Sequence, residues 1–228
     1  MKLTSTLRNP RRYKPLVTSL IALGLWAALY TPGNAAAQGA APHRCGDPFK
    51  NHYGPWDYRN APKESQNTVE RAHFTPRIEQ LKRGDRVLGD DLSYTLNVFP
   101  NHHRALLAIT TLAEREKTNK PEMSHHTIDC WYDRAVRFRP DDTVARALYA
   151  RYLGKEKRLD DAVSQLDAAA QHAKDNPLSH YNIGLIYFDL GNHERALEQA
   201  HKAMALGMQG TGLADKLKRE GKWREPGA

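Results

Sequence analysis

Residues 177–206, PLSHYNIGLIYFDLGNHERALEQAHKAMAL, carry two helical periods separated by a break, and no other stretch constrains the fold as much. In the first half Ile183, Ile186, Tyr187 and Leu190 recur at helical spacing, with Gly184 where a neighbouring helix must come close. Gly191-Asn192 interrupts the period, because glycine is a poor helix former and a good stop. The second half restarts at His193 and sets Ala196, Leu197, Ala200, Ala203 and Met204 on one face. Such a pair cannot bury its apolar side alone, so stacked neighbours are required.

The neighbours are legible upstream. Ala150 and Gly184 are 34 residues apart, as are Leu153 and Tyr187. The second helices keep the same step in Ile128, Ala162 and Ala196, in Tyr132, Leu166 and Ala200, and in Ala135, Ala169 and Ala203. Arg104-Ala105-Leu106-Leu107-Ala108 recurs as Arg146-Ala147-Leu148-Tyr149-Ala150, a step of 42 whose extra residues are assigned to the polar loop 118–124. Farther upstream, Phe74, Ile78 and Leu81 suggest a short helix ending at Arg83-Gly84. Leu88, Leu92, Leu96 and Phe99 suggest another, stopped by Pro100.

At these residues the chain resembles the tetratricopeptide repeat family, whose unit is a 34-residue helix–turn–helix. The resemblance covers 101–142, 143–176 and 177–210, with a degenerate unit at 69–100 and a capping helix around Leu213, Leu217 and Trp223 in 211–228. Ala108, Ala150 and Gly184 match the small residue of the first helix. Ala162 and Ala196 match that of the second, where Ile128 departs and is expected to splay its pair. The resemblance implies an all-α helical-hairpin solenoid with an irregular N-terminal extension, and a concave groove lined by first helices. That groove would be lined by His102, Ala105, Ile109 and Leu112, then Val144, Ala147, Arg151 and Gly154, then Leu178, Tyr181, Leu185 and Phe188. The lysine- and asparagine-rich clamp that some members use for C-terminal carboxylates is not reproduced. An apolar or aromatic segment is the expected occupant.

Residues 1–37 read as a secretory signal peptide. Lys2, Arg8, Arg11, Arg12 and Lys14 precede an apolar run at 16–30, and Ala35-Ala36-Ala37 offers a cleavage site. The run is about 15 residues, short of the roughly 20 needed to span a bilayer, so no stable membrane insertion is expected after cleavage. Cleavage changes the charge argument too. The formal net charge of +8 includes five cations from this segment, and its removal leaves 29 cations against 26 anions. A nucleic-acid partner is therefore not expected.

Residues 38–68 show no helical period but carry Phe49, Tyr53, Trp56 and Tyr58, too many aromatics for a solvated linker. Within them, 49–58 has the composition of a groove filler, whether for this chain's own groove or as a segment packed elsewhere. An exported chain meets oxidising conditions, so Cys45 and Cys130 are expected to pair; the alternative is two unrelated thiols, one buried beside Trp131.

Catalysis and metal binding are not expected. The pairs His102-His103 and His125-His126 begin antiparallel helices at opposite ends, too far apart to share an ion. Asp90-Asp91, Asp141-Asp142 and Asp160-Asp161 stand near helix starts, where capping and the helix dipole account for them. No catalytic motif or cofactor loop is present. The reading is a non-catalytic, periplasmic or secreted adaptor that binds a protein or extended peptide. The alternatives are an envelope-assembly subunit using its outer helical faces, or a metal-binding or catalytic domain.

Overall fold

The structure is a computed structural model that describes residues 43–82, 84 and 87–226. The signal-peptide reading lies outside the described residues. Ten α-helices and no strand occur among them, so the chain is all-α. They are α1 (Lys63–His73), α2 (Pro76–Glu79), α3 (Leu88–Val98), α4 (His103–Glu116), α5 (Ile128–Phe138), α6 (Thr143–Lys155), α7 (Leu159–Ala173), α8 (Pro177–Asp189), α9 (His193–Ala205) and α10 (Gly212–Arg219). None of the described helices is long and apolar enough to cross a membrane.

Local chemistry sets the boundaries. Thr127, Asp142, Asn176 and Asn192 each accept a backbone N–H of the first turn that follows, and Pro177 opens α8 where its missing N–H is harmless. Two expected boundaries move. Helical structure begins at Lys63, inside the segment expected to be irregular, and Phe74, Ile78 and Leu81 do not share one helix. Pro76 is the reason: it disfavours helix at the residue before it, so Thr75 turns extended and starts α2 instead. At the other end α10 stops at Arg219, and Trp223 folds back to meet the His201 ring edge-on at 5.0 Å.

The closest helix pairs are α6 with α7 and α8 with α9, and the first helices α4, α6 and α8 lie side by side in that order. One continuous apolar core runs from Phe74 to Leu217 through them. Small residues permit the close approaches. A Cβ at Gly184 would overlap the Leu213 side chain of α10. A Cβ at Gly89 would overlap the carbonyl oxygen of Glu122, because the 117–127 loop is laid on the start of α3, where Ser93 Oγ accepts the His125 N–H.

The first repeat is registered differently from the sequence expectation. The caps His102, Asp142 and Asn176 precede Thr110, Ala150 and Gly184 by eight residues each, and all three of those residues are buried. The structural step from α4 to α6 is therefore 40 residues, and the two Arg-Ala-Leu motifs sit two positions out of phase. Thr110, not Ala108, takes the place of the small residue. Its hydroxyl bonds the Leu106 carbonyl at 2.7 Å and the Tyr132 hydroxyl at 2.9 Å.

Residues 43–62 form a strap across one end of the helices. Cys45 is disulfide-bonded to Cys130, closing a separation of 85 residues. Beyond it Phe49 meets Phe138, Trp56 and Tyr58 pack on Phe99, and the Trp56 N–H donates to the Val98 carbonyl at 2.9 Å. These aromatics enclose a second small core of Ala61, Val69, Val98 and Phe99.

Overpacking a buried site costs about 1–3 kcal/mol when side chains can adjust. Gly184→Ala meets a movable leucine methyl, whereas Gly89→Ala meets backbone. Urea unfolding should therefore show Gly184→Ala losing stability in that range and Gly89→Ala losing more. The reverse order contradicts the packing described.

Candidate functional site

A groove runs along one face of α4, α6 and α8. Between α6 and α8 it has a cavity volume of about 550 Å³, lined by Val144, Ala147, Leu148 and Arg151 on one side and by Leu178, Asn182, Leu185 and Asp189 on the other. It continues toward α4, where Leu107, Thr111 and Glu114 face Leu148, Arg151 and Lys155. Arg151 lies on both parts. Leu107, Val144 and Leu178 are among the few large apolar side chains left exposed.

Of the expected groove residues, Val144, Ala147, Arg151, Leu178 and Leu185 converge here. His102, Ala105, Ile109 and Leu112 do not: all four are buried. The two-residue phase shift explains it, because Leu107 and Thr111 of α4 stand where Ala147 and Arg151 stand in α6, counted from the caps. Tyr181 and Phe188 are displaced for another reason. The half-buried Tyr181 faces α9 and α10 beside Met204 and Leu213, and Phe188 carries the Lys216 ammonium over its ring at 5.0 Å. They serve the C-terminal cap. Strap residues 49–58 contribute nothing to the groove lining.

The groove's polar groups differ in how they are engaged. Asp189 is held by Lys216 at 3.0 Å and Lys155 by Glu114 at 2.6 Å. Arg151 makes no ion pair or hydrogen bond with the described residues, so its guanidinium is free for a ligand.

A second polar constellation fixes the strap. Fully buried Asn101 uses its whole amide: Oδ1 accepts the Tyr58 N–H at 3.0 Å, and Nδ2 donates to Asp57 at 2.7 Å and to Asp142 at 2.8 Å. Asp142 also caps α6 and binds His103 Nε2 at 2.8 Å. Burial alone would raise the Asp57 carboxyl, but hydrogen bonds from Arg59, Asn101 and Arg139 hold it far below the carboxylate range. Beside it, His102 Nδ1 accepts the Ala105 N–H, so the neutral ring carries its proton on Nε2 and donates to Glu70 at 3.3 Å. Burial lowers the His102 pKa, while the His102 and Tyr58 hydrogen bonds draw Glu70 down to about 2. Tyr58, half-buried and bonded to that carboxylate at 2.7 Å, is pushed up to about 12 by desolvation and by the Glu70 hydrogen bond.

The histidine pairs go separate ways, since His125 approaches Asp90 and Asn97 on α3. A further cluster escaped the sequence reading. His43, Cys45 and Asp133 place Nδ1, Sγ and a carboxylate oxygen within 4.8 Å of one another. Eighty-five residues separate Cys45 from its partner on α5, so only the folded disulfide reveals this grouping.

The chain matches no protein-family model and no curated protein.

The Glu70 carboxylate, with a folded pKa near 2 against an ordinary 4.5, contributes stability that is present above pH 4.5 and lost as pH falls through 2. Wild type should be more stable than Glu70→Gln near neutrality, and the difference should close between pH 4.5 and 2 in urea titrations. A difference that stays constant with pH contradicts this assignment.

Proposed function

We propose that this protein is an exported, non-catalytic adaptor of the tetratricopeptide type, which binds an extended, largely apolar segment of a protein partner in the α4–α6–α8 groove. One observation carries the reading: the groove stays open while the chain's own aromatic segment is committed elsewhere, as a strap on α3 and α5. An apolar surface of this kind marks a place where another chain settles. Val144, Leu178 and Leu185 supply apolar contacts, and Arg151, whose charge is unpaired among the described residues while Asp189 and Lys155 are held in ion pairs, orients the ligand.

Export and the periplasm are inferred from the basic and apolar pattern of 1–37 together with the disulfide, which persists where thiols are oxidised. The histidines and aspartates at helix starts have capping and pairing roles that account for their positions, which favours binding over catalysis.

The test is a pull-down from periplasmic extract with wild type, Leu178→Asp/Leu185→Asp and Tyr181→Ala, each checked for helicity by circular dichroism. The partner should be lost with the double variant and kept with Tyr181→Ala. A partner retained by a folded double variant overturns the groove assignment and favours an assembly subunit that uses its outer helical faces.

A further inference from the structure

The cluster around the disulfide has a property that neither the adaptor reading nor the pairing itself requires. Two short chelating pairs meet there. His43 and Cys45 lie on one turn of the strap, closed by the Gly46 N–H donating to the His43 carbonyl at 2.8 Å. Cys130 and Asp133 are three apart in the first turns of α5, a spacing that puts both on one helix face. Nδ1 of His43, Sγ of Cys45 and an Asp133 oxygen already lie within 4.8 Å, and Cys130 Sγ is bonded to Cys45 Sγ. In a tetrahedral zinc site, ligand atoms at about 2.0–2.3 Å from the metal stand roughly 3–4 Å apart, so small movements close the set.

We propose that reduction of the Cys45–Cys130 disulfide converts this cluster into a Zn²⁺ site with four ligands: the two thiolates, the His43 imidazole and the Asp133 carboxylate. The reductant is a dithiol. Its two sulfur atoms close into a disulfide as the Cys45–Cys130 bond breaks, and two electrons and two protons pass to the cysteines. The metal then displaces those protons and binds both thiolates. It also takes the place of the Cys45 N–H, which His43 Nδ1 accepts at 3.2 Å. While the disulfide is intact both sulfurs are committed, and only His43 and Asp133 remain as donors.

The surroundings suit this chemistry. Cys130 occupies the third position of α5, behind the Thr127 cap, where a helix N-terminus favours thiolate. Buried Arg134 donates to the Cys45 carbonyl at 3.2 Å, and its Nε–H has no hydrogen-bond partner among the described residues, which places a cation against the backbone of Cys45. Arg137 holds one Asp133 oxygen at 2.8 Å and so orients that carboxylate. With both thiols ionised, Cys45, Cys130 and Asp133 bring three negative charges against the two arginines, and the remaining net negative charge draws a cation to the thiolates. His43, about half exposed, stands at the mouth and gives the ion a way in.

The experiment titrates the full chain with Co²⁺ as a spectroscopic probe, oxidised or after reduction by a non-chelating phosphine, and then displaces the probe with Zn²⁺. Reduced wild type should take up one equivalent with thiolate-to-cobalt charge transfer and tetrahedral d–d bands, and the oxidised chain should show neither. His43→Ala and Asp133→Asn should each weaken binding at least as much as the roughly 10–100-fold that loss of an outer-shell partner costs. Circular dichroism accompanies each titration. The proposal is overturned if reduced wild type binds no Co²⁺, or if both variants bind as wild type does, which would mean two thiols acting alone. It is equally overturned if the reduced chain loses its helicity and does not regain it with Zn²⁺.

Discussion

The Asn101 side chain joins three parts of the molecule through three hydrogen bonds. Its oxygen takes the Tyr58 N–H of the strap, and its nitrogen donates to Asp57 of the strap and to Asp142, the cap of α6. A buried amide left without partners costs about 1–3 kcal/mol per group, so this arrangement is sound only while all three partners are in place. Asp142 in turn accepts two backbone N–H groups of α6 and binds His103 of α4. The relative placement of α4 and α6, and so of one wall of the groove, is tied to the strap through this residue, and Arg59 of the strap adds ion pairs to Asp141 at 3.0 Å and Asp142 at 3.7 Å.

The remainder of the strap reinforces that tie with different physics. Trp56 and Tyr58 against Phe99 remove aromatic surface from water, and the disulfide anchors the strap to α5. In the chain-entropy model a loop of this length contributes about 4–5 kcal/mol. Enclosing Val98 and Phe99 gives the helical array a finished end, as α10 does at the other through Leu213 and Leu217. Between the two ends the first helices keep a largely apolar face that no described segment covers.

Much of the fold was legible because it rests on local periods. The pair 177–206, the 34-residue step from α7 to α9 and the Cys45–Cys130 pairing all appear in the structure as expected. The site was only partly legible. The recurrence of Arg-Ala-Leu suggested a register that the caps do not share. A cap residue's hydrogen bond to the next turn fixes where a helix starts, whereas a short motif can recur anywhere on it. Aligning Pro100 with Pro140, two residues after α3 and α5 end, would have found the 40-residue step and placed Leu107 and Thr111 in the groove. Tyr181 and Phe188 could not be assigned from spacing, because α8 is apolar on nearly every side and only its contacts with α10 decide which face is covered. The His43 cluster depends on two segments meeting through a disulfide, which no local pattern encodes.

The most direct measurement is amide hydrogen exchange on Asn101→Ala, read together with its urea unfolding. The account predicts a loss of about 2–3 kcal/mol, set by the groups left unsatisfied. It also predicts faster exchange in both the strap around Tyr58 and the first turn of α6 at Val144 and Ala145. Faster exchange confined to the strap, with α6 unchanged, would contradict the claim that the Asn101 amide couples the strap to the groove wall.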